Sequence, residues 1–233
     1  MAVVPMCVEK NITHLTKEVS MLKKLISITT LIISLSFTHA YADMLEDVIS
    51  VRSQWEKIQY QFAEDKKEAA FEKLAADAAK VSASYPKQAE PLIWEAIINA
   101  TYAGVRGGFG ALGLVEKARD LLLEAEKIDP QAMDGSIYTS LGSLYYQVPG
   151  WPIGFGDPDK AEEYLLKALK INPNGIDPNY FYGDYLFEQD QYEKAVQVLE
   201  KALKAPPRKG REIADKGRRE EIKKVLKKAK AEL

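Results

Sequence analysis

The feature that most limits what this chain can fold into is a recurring unit that ends in proline. These prolines are Pro86, Pro130, Pro173 and Pro207, which stand 44, 43 and 34 residues apart. Proline ends a helix because it lacks a backbone N–H group and disfavours helical geometry in the residue before it. Repeats of this length predict a solenoid of helix pairs, in which each unit buries its apolar face against its neighbours.

The last unit indicates how its two helices pack. Gly183 falls on the predicted first helix, and Ala195 and Ala202 fall two turns apart on the second. Small side chains at such positions allow antiparallel helices to approach closely. The same pattern of one glycine and two alanines occurs in the preceding unit, at Gly142, Ala161 and Ala168. The two units are therefore predicted to be structural copies of each other.

Taken together, residues from about 50 to 207 resemble three to four tetratricopeptide repeats. Residues 135–175 and 176–209 match the pattern best, 92–132 keep part of it, and 50–86 form a degenerate unit. The resemblance implies an all-α fold, a short right-handed superhelix of antiparallel helix pairs, and a non-catalytic role in binding proteins or peptides. Through its glycine-rich insertions the chain also resembles periplasmic tetratricopeptide proteins of tripartite ATP-independent (TRAP) transporters, which implies a role in small-molecule uptake.

The segment 21–42 has the three-part composition of a secretory signal peptide. Two lysines follow Met21, an apolar stretch covers residues 25–37, and small residues precede the end at Ala42. The apolar stretch is shorter than the roughly 20 residues that span a bilayer, which disfavours the alternative of a membrane anchor. We predict translation from Met21, so that residues 1–20 are not part of the protein, cleavage after Ala42, and a periplasmic mature protein with neither a lipid anchor nor an integral membrane segment.

Histidine and cysteine are missing from the predicted mature chain. Cys7, His14 and His39 all precede residue 43. Histidine is the usual general base near neutral pH, and both residue types are the usual zinc ligands. The carboxylates of residues 43–233 are numerous, but they alternate with lysines in a way typical of solvated helix faces. We therefore predict no catalytic residues, no metal site and no cofactor.

Charge divides the predicted mature chain into two parts. Residues 208–233 carry eleven basic and five acidic side chains, whereas residues 43–207 have a net charge of −10. A solenoid needs a terminal helix with a polar outer face, so 208–233 are predicted to be a basic capping helix on the repeat domain 43–207. Its charge either docks an acidic partner, a lipid headgroup or nucleic acid, or is neutralised by pairing of Arg211, Arg218 and Arg219 with the acidic repeats, which is the interpretation we favour. The segment has no aromatic residue, which disfavours binding of nucleic acid.

Two glycine-rich insertions, 104–110 and 148–157, fall at the equivalent turn of successive units, and both contain Gly-Phe-Gly. Helix connections usually take 2 to 8 residues, and longer ones tend to be functional. Neither insertion has the Gly-Lys-Ser or Gly-Lys-Thr of a phosphate-binding loop. We predict a shared binding rim, with packing under a neighbouring repeat as the alternative for its aromatic side chains. The rim residues are Arg106, Phe109, Trp151 and Phe155.

In tetratricopeptide proteins the first helix of each repeat lines a concave groove, and the resemblance places eight residues there. They are Thr139, Ser143, Tyr146, Gln147, Tyr180, Asp184, Phe187 and Glu188. Relatives that clamp a C-terminal carboxylate use lysine, arginine and asparagine instead, so these residues favour a peptide or protein segment of apolar and basic character. The tyrosines alternatively serve packing between repeats. The alternative function is that of an accessory to small-molecule transport, with the insertions enclosing the ligand.

Overall fold

The computed structural model describes Met21 and residues 41–233, which belong to two compact units, residues 1–46 and residues 47–233. The described part of the first unit is helical. The predicted signal peptide lies almost entirely outside the described residues, so its cleavage and the periplasmic location stay predictions.

The second unit is built from α-helices. In the described residues 47–233 these are α1 (47–61), α2 (Glu64–Ser84), α3 (Ala89–Arg106), α4 (Leu112–Ile128), α5 (Ser136–Gln147), α6 (Pro158–Ile171), α7 (Ile176–Glu188), α8 (Tyr192–Leu203) and α9 (Glu212–Ala231). Two short 3-10 helices precede α4 and α5, at Phe109–Ala111 and Ala132–Gly135. Within these residues the β structure is limited to one isolated bridge between Gly150 and Gly156. The predicted all-α fold is confirmed.

Consecutive helices pack as hairpins. The most extensive contacts join α3 to α4, α5 to α6, and α7 to α8, and α9 packs on α8. The second helix of each pair ends two to four residues before a proline of the repeat, since α4, α6 and α8 end at Ile128, Ile171 and Leu203. The predicted superhelix of antiparallel pairs with a C-terminal capping helix is therefore the fold of this unit.

Glycine and alanine set the distance between paired helices. A Cβ atom on Gly142 would lie 2.6 Å from Cγ of Leu165, and one on Gly183 would lie 2.7 Å from Cγ of Leu199. Both distances are below van der Waals contact, so only glycine fits at this helix separation. The facing alanines of three successive pairs are fully buried: Ala118, Ala125, Ala161, Ala168, Ala195 and Ala202.

The last helix also contacts the first. The hydroxyl of Tyr60 on α1 donates to Oε2 of Glu221 on α9 over 3.4 Å, across 161 residues of sequence. Arg211, just before α9, forms an ion pair with Glu56 of α1, and a Cβ atom on Gly217 would overlap the ring of Tyr60. This contact between α1 and α9 was not predicted from the sequence. It closes one side of the space that the first helices of the repeats face.

Candidate binding cavity

The first helices of three consecutive pairs, α3, α5 and α7, line a cavity of about 740 Å³. Helices α1 and α9 complete its wall, and both glycine-rich loops contribute to it. Sites for small ligands typically occupy roughly 300–1,000 Å³. The cavity is therefore large enough to hold a small molecule or a short segment of another chain.

The wall changes in character along the first helices. At their starts, Arg211 lies over the ring of Trp94, 5.4 Å from its centroid, and Arg218 pairs with Asp177 at the beginning of α7. Five charged residues line this part, here called the charged end: Asp177, Arg208, Arg211, Arg218 and Glu221. Where α3 and α5 run into the glycine-rich loops, five apolar residues line what is here called the apolar mouth: Phe109, Leu112, Val148, Pro149 and Ile153. The cavity is therefore amphipathic.

Asp177 organises most of the charged end. Its carboxylate accepts hydrogen bonds from Nη1 of Arg208 at 2.5 Å and from Nε of Arg218 at 2.8 Å. Arg208 also donates to Asp215 at 2.7 Å, and Arg218 to Glu221 at 2.6 Å. Burial raises the pKa of Asp177, but the guanidinium groups of Arg218 and Arg208 outweigh it and lower the pKa to about 2. Asp177 is thus held ionised by paired arginines.

Arg211 is compensated less completely. Its ion-pair partner Glu56 is buried and also lies within 3.9 Å of Nε of Arg52, so one carboxylate serves two guanidinium groups. Nε of Arg211 and Oε1 of Glu56 are buried, and neither atom forms a hydrogen bond among the described residues. Burial lowers the pKa of Arg211, and the positive charges of Arg208 and Arg52 lower it further. Arg211 is therefore the cation of the wall with the least neutralised charge.

Helix α5 adds hydroxyl groups to the middle of the wall, at Ser136, Thr139, Ser140 and Ser143. Thr139 donates to the carbonyl of Gly135 at 3.1 Å, and Ser143 donates to the carbonyl of Ser140 at 3.0 Å. The donors are thus used within the helix, while each hydroxyl oxygen keeps lone pairs that can accept from a ligand.

Comparison with known proteins agrees with this architecture, since residues 153–215 match the family model of the tetratricopeptide repeat (TPR). Residues 153–215 therefore carry the TPR pattern. Similar solved structures include MamA, at 22% identity over 74% of this chain and 95% of that one, with a TM-score of 0.40. A thermophilic TPR protein of Thermus thermophilus, TTC0263, is 15% identical over 69% and 91% of the two chains, with a TM-score of 0.39. PilF of Pseudomonas aeruginosa is 16% identical over 80% and 90%, with a TM-score of 0.34.

No curated protein matches the chain. TPR domains generally bind protein partners and act as non-catalytic scaffolds. Across Met21 and residues 41–233, no helix combines the length and the hydrophobicity needed to cross a bilayer. The same residues contain no cluster of three or more histidine, cysteine or acidic side chains placed to hold a metal ion.

The predicted groove residues divide into two groups. Thr139, Ser143, Gln147 and Tyr180 line the cavity. The other four are not part of its wall: Tyr146, Asp184, Phe187 and Glu188. The first group comes from α5 and α7, which both contribute to the wall of this cavity.

Tyr146 and Asp184 instead join two repeats. The Tyr146 hydroxyl donates to Oδ2 of Asp184 at 2.7 Å, and its ring packs edge-on against Tyr185 at 5.8 Å. Burial raises the pKa of Tyr146 well above its usual value and also raises the pKa of Asp184. These contacts match the alternative that the tyrosines pack between repeats. Phe187 packs on Tyr192, with ring centroids 5.7 Å apart.

The four predicted rim residues do not form one surface. Phe109 is 92% exposed and lines the cavity, and Trp151 is 90% exposed outside its wall. Phe155 packs against Tyr145, with centroids 5.4 Å apart, and lies under the guanidinium of Arg119 at 4.6 Å. Arg106 turns back along its own helix, where its Nη1 atom donates to the Tyr102 hydroxyl at 3.3 Å.

Sequence reasoning missed the part of the wall that comes from α1 and α9. Trp55, Gln59 and Tyr60 of α1 line the cavity opposite the repeats, and the capping segment supplies Arg208, Arg211 and Arg218. The opposite net charges of residues 43–207 and 208–233 are the sequence feature from which a contact between the capping segment and the rest of the wall could have been predicted. Pairing within the chain holds for Arg218 with Asp177, whereas Arg219 donates to the main-chain carbonyls of Leu203 and Ala205.

Proposed function

We propose that this chain is an exported, periplasmic, non-catalytic TPR protein that holds a segment of a protein partner in its cavity. The observation that carries the proposal is that first helices of three successive repeats converge on one cavity. TPR domains generally bind protein partners, and surfaces of this kind bind through aromatic anchors surrounded by polar groups. Trp55, Trp94 and Phe181 supply the aromatic surface here.

The character of the bound segment differs from the sequence-based prediction. A preference for basic segments rested on Asp184 and Glu188, and neither residue lines the cavity. Hydroxyl acceptors on α5 and apolar side chains at the mouth favour a short, mainly apolar segment that enters past Phe109 and Ile153. Its backbone N–H groups would donate to Thr139 or Ser143.

Site-specific photo-crosslinking in the host tests this function. A photoreactive amino acid at Ser143, inside the cavity, is expected to form an adduct with a discrete protein partner. The matched control is Glu163 on α6, whose side chain is 62% exposed and outside the cavity. A cavity-filling Ser143→Trp variant should then abolish binding of the identified segment, whereas Glu163→Trp should not. Adducts that are the same at both positions, or no protein adduct at Ser143, would contradict the proposal.

Export is tested separately, by sequencing the N-terminus of protein purified from the periplasmic fraction. The expected first residue is Asp43. Protein that begins at Met1 or remains in the cytosol would refute the export part of the proposal and leave the binding part intact.

A second candidate function is that of an accessory to a small-molecule transport system of the TRAP type. It is favoured by the contact between α1 and α9. This contact closes the side on which an open TPR groove would admit a protein partner, and the remaining cavity has the volume of a small-ligand site. Native mass spectrometry of protein purified from its host separates the two functions. A retained mass below that of a peptide segment favours the transport role.

A further inference from the structure

Three exposed apolar side chains lie together at the mouth of the cavity, and they are here called the loop patch: Phe109, Trp151 and Ile153. Phe109 and Ile153 line the same opening. Trp151 belongs to the same turn as Ile153, whose N–H donates to the carbonyl of Gly150 at 3.1 Å. Within residues 47–232 no other large hydrophobic side chain is more than 47% exposed. Contiguous exposed apolar side chains of this kind mark an interaction surface.

The loops that carry the patch are almost without charge. Residues 107–115 and 148–156 contain no acidic or basic side chain. The cation next to them is Arg106, which lies against the first loop, since a Cβ atom on Gly110 would lie 2.7 Å from its Nε atom. Its guanidinium contacts only neutral groups of Tyr102, the hydroxyl and the ring. An arginine beside an uncharged apolar surface suits the phosphate of a lipid headgroup.

The backbone of the second loop suits a medium that offers few hydrogen-bond partners. Two of the ten residues 148–157 are prolines, which have no N–H group. Five of the other eight N–H groups donate to carbonyls of the chain: those of Val148, Ile153, Gly154, Gly156 and Asp157. An unsatisfied backbone group is costly in lipid, whereas water satisfies it at a wet protein interface. The loop therefore largely meets a requirement that a lipid surface imposes.

The types and the position of the side chains also favour lipid. Tryptophan is enriched where membranes meet water, because its ring is apolar and its N–H group needs a polar partner. Trp151 projects into solvent from outside the cavity wall. The arginines of the capping segment line the charged end, away from the patch. Binding through the patch would therefore depend on apolar contact and not on an anionic membrane.

We propose that the loop patch docks on the surface of a phospholipid bilayer, with its three side chains in the interfacial layer and Arg106 at the headgroup phosphates. This inference goes beyond the proposed function and does not depend on what the cavity holds. The two are compatible, because the mouth of a docked molecule opens at the bilayer surface. An apolar segment of a membrane-anchored partner would reach the cavity there.

Tryptophan fluorescence tests the docking. The chain contains three tryptophans, and Trp55 and Trp94 are buried, so contact with vesicles is reported mainly by Trp151. Purified protein is mixed with vesicles of phosphatidylcholine alone and with vesicles that also contain phosphatidylglycerol. We expect a blue shift of the emission with both, quenching by lipids brominated on the acyl chain, and similar partition coefficients that persist in high salt.

Variants locate the contact by cosedimentation with the same vesicles. Trp151→Ser and Phe109→Ser should each weaken the partition about tenfold, because each removes a large apolar side chain from the interface. Arg106→Gln should weaken it about twofold. The matched control is Phe62→Ser, since Phe62 is an exposed aromatic residue between α1 and α2, outside both loops. Circular dichroism verifies that each variant is folded.

Three results would overturn the proposal. The first is that neither vesicle binds, or that Trp151→Ser binds as well as the wild type. The second is binding to anionic vesicles alone that is lost in high salt, which would assign it to the basic segment 208–233. The third is self-association in place of vesicle binding, abolished by Trp151→Ser, which would make the patch a contact between copies. The Ser143 crosslinks judge the protein-binding function independently, so the two failures are distinguishable.

Discussion

The two ends of the cavity are built on opposite principles. At the charged end each ionic side chain is paired within the chain, as in the contacts of Asp177 with Arg208 and Arg218. At the apolar mouth Phe109 and Ile153 are 92% and 61% exposed. Stability is thus concentrated where the capping segment meets the repeats, and the mouth contributes little to it.

The largest expected effect is at the charged end. Asp177→Asn should lower the free energy of unfolding by about 3 kcal/mol, because it leaves two paired arginines without their common anion. Urea denaturation measures this loss. The control is Asp159→Asn, since Asp159 also lies in the first turn of a helix but is exposed and has no ion pair in the described chain. Similar losses in both variants would show that the charged end is not a stabilising centre.

The same carboxylate predicts a dependence on pH. The pKa of Asp177 is about 2 in the folded protein, against an ordinary value of 3.8. A depressed pKa contributes stability above the unfolded value that is lost as the pH falls toward 2, and the shift corresponds to roughly 2 kcal/mol. The difference in unfolding free energy between wild type and Asp177→Asn should therefore shrink between about pH 5 and about pH 2. A difference that stays constant over this range would rule out the ionised Asp177 as its source.

The two Gly-Phe-Gly motifs sharpen the comparison on the loop side. Phe155→Ala should cost about 1.5 kcal/mol, because the half-buried ring loses its contacts with Tyr145 and Arg119. Phe109→Ala should change stability by less than about 0.5 kcal/mol, since that ring is exposed. Thermal and urea denaturation of the two variants provide matched measurements in one sequence motif. An equal cost at both positions would mean that the mouth is also a packed region.

The smallest expected effect concerns the backbone of the first loop. Gly107 has φ = +64° and ψ = −176°, a combination that essentially only glycine adopts, so Gly107→Ala should cost about 1 kcal/mol. Gly104 lies inside α3, and a Cβ atom placed there would meet no atom within 4 Å, so Gly104→Ala should stabilise the helix by up to about 1 kcal/mol. Urea denaturation should give a lower midpoint for Gly107→Ala and a higher midpoint for Gly104→Ala than for the wild type. A stabilising Gly107→Ala would contradict the backbone conformation assigned to Gly107.

Sequence could not separate the two Gly-Phe-Gly motifs, because their local chemistry is the same. Phe155 is fixed by contacts that depend on the second loop, where N–H of Gly156 donates to the carbonyl of Pro149 at 3.0 Å and N–H of Asp157 donates to that of Tyr145 at 2.8 Å. In the first loop, N–H of Ala111 donates to the carbonyl of Gly108 at 3.1 Å, which fixes the turn, but the ring of Phe109 remains 92% exposed. Likewise, Tyr146 and Asp184 were predicted in the groove, and their side chains bond to each other across 38 residues.

The sequence by itself determined the helices, their pairing and the small residues between them. These depend on short-range periodicity, from which Gly142, Ala161 and Ala168 were predicted as the small residues of one helix pair. Only the tertiary structure decided that α9 contacts α1 and completes the cavity wall. The ion pair of Arg211 with Glu56 that joins them connects residues that are far apart in the sequence. Whether such distant residues meet depends on the small rotation between each pair of successive repeats, summed over all the repeats that separate them. A local sequence pattern does not specify these rotations.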